Sequence, residues 1–140
     1  MNTYSFQDIK VGLTESFTVV VKEEMLSQFY AITGDNNPLH MDEDFAHEVG
    51  HPGRVVYGML TSAFLSTLAG VYLPGRYSLI HSVETKLKNP VYIGDELTIT
   101  GKVKELHESV ETMEIDVTIT NQNQKKVLKG TMNIGFLHER

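Results

Sequence analysis

The 21 residues from Val55 to Gly75 contain no charged side chain. Within them Met59, Leu60, Ala63, Phe64, Leu65, Leu68, Ala69, Val71, Tyr72 and Leu73 cover nearly the whole circumference of a helix predicted from about Met59 to Leu73. A helix that is apolar on every side has to be enclosed. Lipid is a poor candidate for the enclosure. A helix of that length spans roughly 22 Å at 1.5 Å per residue, against a hydrocarbon core of about 30 Å. Gly58, Gly70 and Pro74 also interrupt the stretch, and Thr61, Ser62, Ser66 and Thr67 lie inside it. The expectation is a buried helix of a soluble protein with no membrane partner.

The second half of the chain supplies the enclosure. Leu79, His81, Val83, Thr85 and Leu87 alternate with Ser78, Ser82, Glu84, Lys86 and Lys88. Leu97, Ile99 and Val103 repeat the pattern, as do Met113, Ile115, Val117 and Ile119, and then Leu128, Met132, Ile134 and Phe136. Period two with one polar face predicts antiparallel strands, packed on one side and wet on the other. Asn121 to Gln124 reads as a turn between two of them. Upstream, Thr14 to Val21 reads as a first strand. Glu23 to Thr33 reads as a helix, with Met25, Leu26, Phe29, Tyr30 and Thr33 at three- and four-residue spacing, and Gly34 sits where a left-handed cap belongs. A short helix is predicted from Asp42 as N-cap to about Val49, closed by Gly50. The fold class expected is α+β, a curved antiparallel sheet wrapped around one long central helix, with residues 1–140 as a single domain. One sheet cannot cover every side of that helix, so a second copy of the chain, in a homodimer or higher homo-oligomer, is expected to complete the cover.

Composition removes several function classes. The net charge is −6, which argues against general nucleic-acid binding. There is no cysteine, so thiolate metal sites, disulfides and cysteine catalysis are excluded. The N-terminal residues Met1 to Asp8 show no basic region followed by an apolar run, so no secretory signal is read and a cytoplasmic location is expected.

The chemistry is expected in Tyr30-Ala-Ile-Thr-Gly-Asp35-Asn-Asn-Pro-Leu-His40. An Asp after a helix end and a lone His each have ordinary explanations. Together, on a turn made rigid by Pro38, they suit a general acid/base pair that handles one water. The string Tyr30-x-x-Thr33-Gly34-Asp35-x-Asn37-Pro38-Leu39-His40, with Ala46 beyond it, resembles the hydratase motif of the MaoC-like (R)-specific enoyl-CoA hydratases, a family with the hot dog fold. The likeness extends to Gly58-Met-Leu, to Leu73-Pro-Gly75 and to Pro90-Val-Tyr-Ile-Gly-Asp-Glu-Leu97, and covers roughly residues 5–137. It departs at Tyr57, where the family commonly has His.

The resemblance implies hydration of a trans-2-enoyl-CoA to the (R)-3-hydroxyacyl-CoA, and the reverse dehydration, by a hydro-lyase of fatty acid metabolism. Asp35 and His40 would be the catalytic pair and an acyl-CoA thioester the partner. No cofactor and no metal are expected. Gly58, at the N-terminus of the central helix, offers free N–H groups to a developing enolate oxygen; the plainer reading is a glycine that permits a tight turn. Tyr57 and Ser66 are candidate substrate-binding residues, with plain helix packing an equal reading of Ser66, and Asn37 and Pro38 hold the motif's loop. Lys86, Lys88, Arg54 and Arg76 either meet the CoA phosphates or form a solvated face.

Other readings stay open on the residues alone. They are an acyl-carrier-protein dehydratase, a hot dog acyl-thioesterase and a non-catalytic acyl-CoA-binding module. His47-Glu48-Val49-Gly50-His51 matches a zinc motif by letter, but Gly50 and Pro52 break the helix that would put both imidazoles on one face.

Overall fold

The computed structural model describes residues 1–138. After a single 3₁₀ turn at Phe6–Asp8, the order is β1 (Thr14–Val20), α1 (Glu23–Thr33), α2 (Pro38–Met41), α3 (Glu43–Glu48) and α4 (Gly58–Thr67). A π-helical turn (Leu68–Tyr72) extends α4, and β2 (Ser78–Leu87), β3 (Glu96–His107), β4 (Thr112–Thr120) and β5 (Lys126–Phe136) follow. The five strands form one antiparallel sheet in the order β1-β3-β4-β5-β2.

The alternation in β3, β4 and β5 becomes burial. Leu97, Ile99, Val103, Met113, Ile115, Val117, Ile119, Leu128, Met132 and Ile134 all point into one core with Leu65, Leu68, Ala69 and Leu73. Cross-strand registers stack them, Ile99 on Ile119 and Ile115 on Met132. Each such side chain contributes roughly 1.5–3 kcal/mol on leaving water. The helix approaches closely where the sheet has no side chain: a Cβ on Gly101 would stand 3.0 Å from Leu68 Cδ2. The sheet is thus draped over the helix as its sequence requires, in a hot dog fold.

Three differences from the sequence reading have physical reasons. The central helix does not run as one α-helix from Met59 to Leu73; it starts at Gly58 and widens after Thr67. There the Leu73 N–H donates to Leu68 O at 2.8 Å, a bond over five residues. The wider turn returns Leu73 to the face of Leu68, so that both are fully buried. Second, the helix is not enclosed on every side. Met59 is 69% exposed, and Ala63 and Ser66, four and seven residues on, share its open face. Third, β2 is not packed on one side. It is an edge strand paired only with β5, and Leu79, Val83 and Leu87 remain about half exposed. Among the described residues, no helix is long and apolar enough to cross a membrane.

The loop between α1 and α2 emerges from this frame. Gly34 takes φ +73°, and its N–H donates to Tyr30 O at 2.7 Å, ending α1 in the left-handed cap that only glycine adopts freely. The short helix α3 starts on Asp42, whose carboxylate accepts from Asp44 N and Phe45 N.

Candidate active site

A relay of short polar contacts carries the chain from α1 to His40. The Thr33 hydroxyl donates to Phe29 O at 2.9 Å and accepts from Asp35 N at 3.2 Å. Asp35 Oδ1 accepts from Asn37 N at 3.1 Å. Asn37 Oδ1 then accepts from Leu39 N at 3.0 Å, capping α2 with Pro38 at its first turn. The one-turn helix α2 was not legible as such in the sequence, although Asn37-Pro38 is its start signal. The five-residue spacing of Asp35 and His40 is therefore a cap, an Asx turn and a second cap in succession.

His40 is half-buried, and its ring is fixed from two sides. Nδ1 lies 2.6 Å from Val55 O. A carbonyl can only accept, so Nδ1 carries the proton and, in the neutral ring, Nε2 keeps the lone pair. The other constraint is Tyr57, on whose ring the imidazole stacks at 4.2 Å between centroids. Tyr57 is 2% exposed, and Phe29 packs against it at 4.7 Å. Its hydroxyl donates to Asp35 O at 2.7 Å. One aromatic residue therefore supports the backbone of Asp35 and the ring of His40 together. Burial first, and the Asp35 carboxylate second, push the Tyr57 phenol above its ordinary pKa, so it remains a neutral donor. With that proton committed to Asp35 O, Tyr57 acts on the loop and is not a free donor to substrate.

His40 lines a cavity of about 180 Å³ with Leu26, Ser27, Tyr30, Met41, Arg54 and Tyr57. Asp35 is exposed and is not among the residues that line it. Gly58 is not among the residues that line the His40 cavity. It lines a second cavity of about 290 Å³, mostly apolar, with Val55, Val56, Thr61, Leu87, Val91 and Val127 among its walls. A Cβ on Gly58 would collide with Leu87 Cδ1, so the glycine permits this packing as well as opening α4. Ser66 stands exposed on the uncovered face of α4, away from both cavities.

The remaining candidates separate. Lys88 lines the cavity at Gly58, whereas Lys86 lies on the outer face of the sheet with Lys104 and Lys129. Arg76 is exposed beyond the π turn. Arg54 is engaged: its Nε donates to His40 O and its NH1 to Glu23 Oε1, both at 2.9 Å. The histidines of the zinc-like string have different partners, His47 Nε2 with Pro52 O at 3.0 Å and His51 Nδ1 with the Tyr92 hydroxyl at 2.9 Å. Sequence reasoning missed the Val55 carbonyl, which no side-chain pattern could reveal. It also saw Arg54 only as a phosphate ligand or as part of a solvated face.

Comparisons with known proteins agree with the architecture. The family model described as "MaoC like domain" matches residues 6–127. An (R)-specific enoyl-CoA hydratase of Rhodospirillum rubrum is 36% identical over 98 residues, covering 70% of this chain and 68% of that protein. A 3-hydroxybutyryl-CoA dehydratase of Methylorubrum extorquens is 35% identical over 101 residues, covering 72% of this chain and 64% of that one. The solved (R)-hydratase from A. caviae superposes with a TM-score of 0.90 at 28% identity, covering 94% of this chain and 99% of that one.

Proposed function

The chain belongs to the MaoC-like domain family, and from that premise we propose that it adds water to a trans-2-enoyl-CoA, giving the (R)-3-hydroxyacyl-CoA, and catalyses the reverse dehydration. The observation that carries this reading is the anchoring of His40 Nδ1 on Val55 O. It leaves Nε2 as the ring's acceptor beside a cavity, on a loop shared with the Asp35 carboxylate. A water held between the two groups loses one proton to the pair as its oxygen bonds to C3. The double-bond electrons move onto the thioester oxygen as an enolate. The enolate then collapses, and C2 takes a proton returned by the same pair. The reaction conserves atoms and needs neither redox partner nor cofactor.

The enolate oxygen needs preorganised donors. Gly58 is the first residue of α4, so its N–H precedes the intrahelical ladder at the positive end of the helix dipole. Loss of one such donor typically costs about 3–4 kcal/mol of transition-state stabilisation. The largely apolar cavity beside Gly58 offers room next to that donor.

The working unit is a homodimer. The face of α4 at Met59, Ala63 and Ser66 is exposed, and the edge strand β2 leaves Leu79, Val83 and Leu87 half exposed. A second copy covers this surface and makes Ser66 a wall residue for the acyl chain. Sedimentation at micromolar concentration reads this directly, and a stable monomer there removes the dimer from the proposal.

The activity is tested with crotonyl-CoA. Hydration removes the conjugated enoyl absorbance and releases no thiol. Thiol release at the same rate would make the protein a thioesterase, and no reaction at all would leave only a binding module. Kinetics over enoyl-CoA substrates of increasing length, and over the same acyl groups on a carrier protein, then define the substrate.

A further inference from the structure

The geometry points to Arg54 as a positioning residue that sets the orientation of His40; the inference rests on the catalytic role proposed for His40. Residues 54 and 55 grip residues 39 and 40 through three hydrogen bonds. Val55 N donates to Leu39 O at 3.1 Å, His40 Nδ1 donates to Val55 O at 2.6 Å, and Arg54 Nε donates to His40 O at 2.9 Å. Two of these hold the backbone of the one-turn helix α2, and one holds the imidazole.

One of the two bonds that hold the backbone comes from the Arg54 side chain. The carbonyls at a helix C-terminus have no intrahelical partner, and α2 is a single turn. Arg54 satisfies the His40 carbonyl while its NH1 pairs with Glu23 in the first turn of α1. The guanidinium therefore ties the start of α1 to the end of α2, across the stretch that carries Asp35. Its planar fork presents Nε and NH1 in a fixed relation, which a lysine ammonium cannot reproduce. Only 17% of the Arg54 side chain is exposed, and its charge is already matched by Glu23. Both facts favour a strut over a phosphate ligand.

The grip is itself anchored in the fold. Val55 bridges to Tyr92, and Val56 N donates to Val91 O at 2.8 Å. Residues 54–56 thus transmit the position of a rigid segment to the His40 ring. Misplacement of a catalytic group by about 1 Å can lower turnover on the order of 100-fold.

The test is R54M in the full-length chain, with R54K and E23Q beside it. R54M is expected to lower kcat about 10- to 100-fold with KM changed less than about threefold. Millimolar guanidinium should restore part of the loss. R54K, which keeps the charge and one donor, falls between R54M and wild type. E23Q loosens the outer anchor alone and lowers kcat about three- to fivefold, the upper scale of an exposed ion pair; it decides the matter if R54M does not fold. A rise in KM at unchanged kcat would make Arg54 a substrate contact and overturn the proposal, as would kcat within twofold of wild type. Nitrogen-15 NMR of the His40 ring separates this question from the activity itself. If wild type proves inactive on every enoyl thioester, a ring held as the Nδ1–H tautomer in wild type and mixed in R54M still supports positioning. An unchanged ring spectrum in that case overturns it.

Discussion

Strand β4 and the loop at residues 34–41 are nearly equal in length and are ordered by opposite means. In β4 every second side chain, Met113, Ile115, Val117 and Ile119, is fully buried. The loop is exposed apart from the half-buried Leu39 and His40. It is held by successive hydrogen bonds from Thr33, Asp35, Asn37 and Tyr57. Apolar burial is non-directional and scales with area, whereas hydrogen bonds fix direction and contribute only about 1 kcal/mol each. The strand accordingly supplies stability, and the loop supplies geometry.

That division can be broken by mutation. Ile115→Ala should cost about 2–5 kcal/mol of stability, read from urea unfolding, while kcat per folded molecule stays within about twofold. A turnover defect without a stability loss would show that β4 also shapes the site. Asp35→Asn and His40→Gln should do the reverse. Each lowers kcat at least about 100-fold, or roughly 2.7 kcal/mol, with melting temperatures within a few degrees of wild type. Asparagine keeps an Oδ1 acceptor for Asn37 N, so Asp35→Asn removes the charge and spares the turn. Near-normal turnover in either variant would remove the proposed mechanism.

The outer face of α4 sharpens the comparison with the smallest effect on the isolated chain. Met59 is solvent-exposed there, so Met59→Asp should change the stability of a single chain by less than about 0.5 kcal/mol. If that face is an interface, the same change raises the dissociation constant at least about tenfold by sedimentation. An unchanged association state would class Met59 with the loop, as surface, and not with β4, as core.

Much of this division was legible in the residues. The alternation in β3, β4 and β5 survives as burial because those strands have neighbours on both edges and the helix beneath them. The same alternation in β2 does not, since an edge strand at the sheet's margin has less of the molecule to pack against. The resemblance of their string to a family motif singles out Asp35 and His40 as a candidate pair, and the turn chemistry of Gly34, Asn37 and Pro38 around them is local. Tyr57 and Arg54 were visible only as a departure from a motif and as a cation. Their partners, Asp35 O and His40 O, are 22 and 14 residues away, and nothing in a local pattern connects them.

By itself, then, the sequence determined the strands, the apolar helix and the string that carries Asp35 and His40, because periodicity, capping and turn propensity act over a few neighbouring residues. Tertiary structure alone decided where the helix widens into a π turn, which of its faces stays uncovered and which nitrogen of His40 holds the proton. Those outcomes depend on backbone carbonyls and packing surfaces brought together across the fold, and a backbone carbonyl is the same group at every position in the chain.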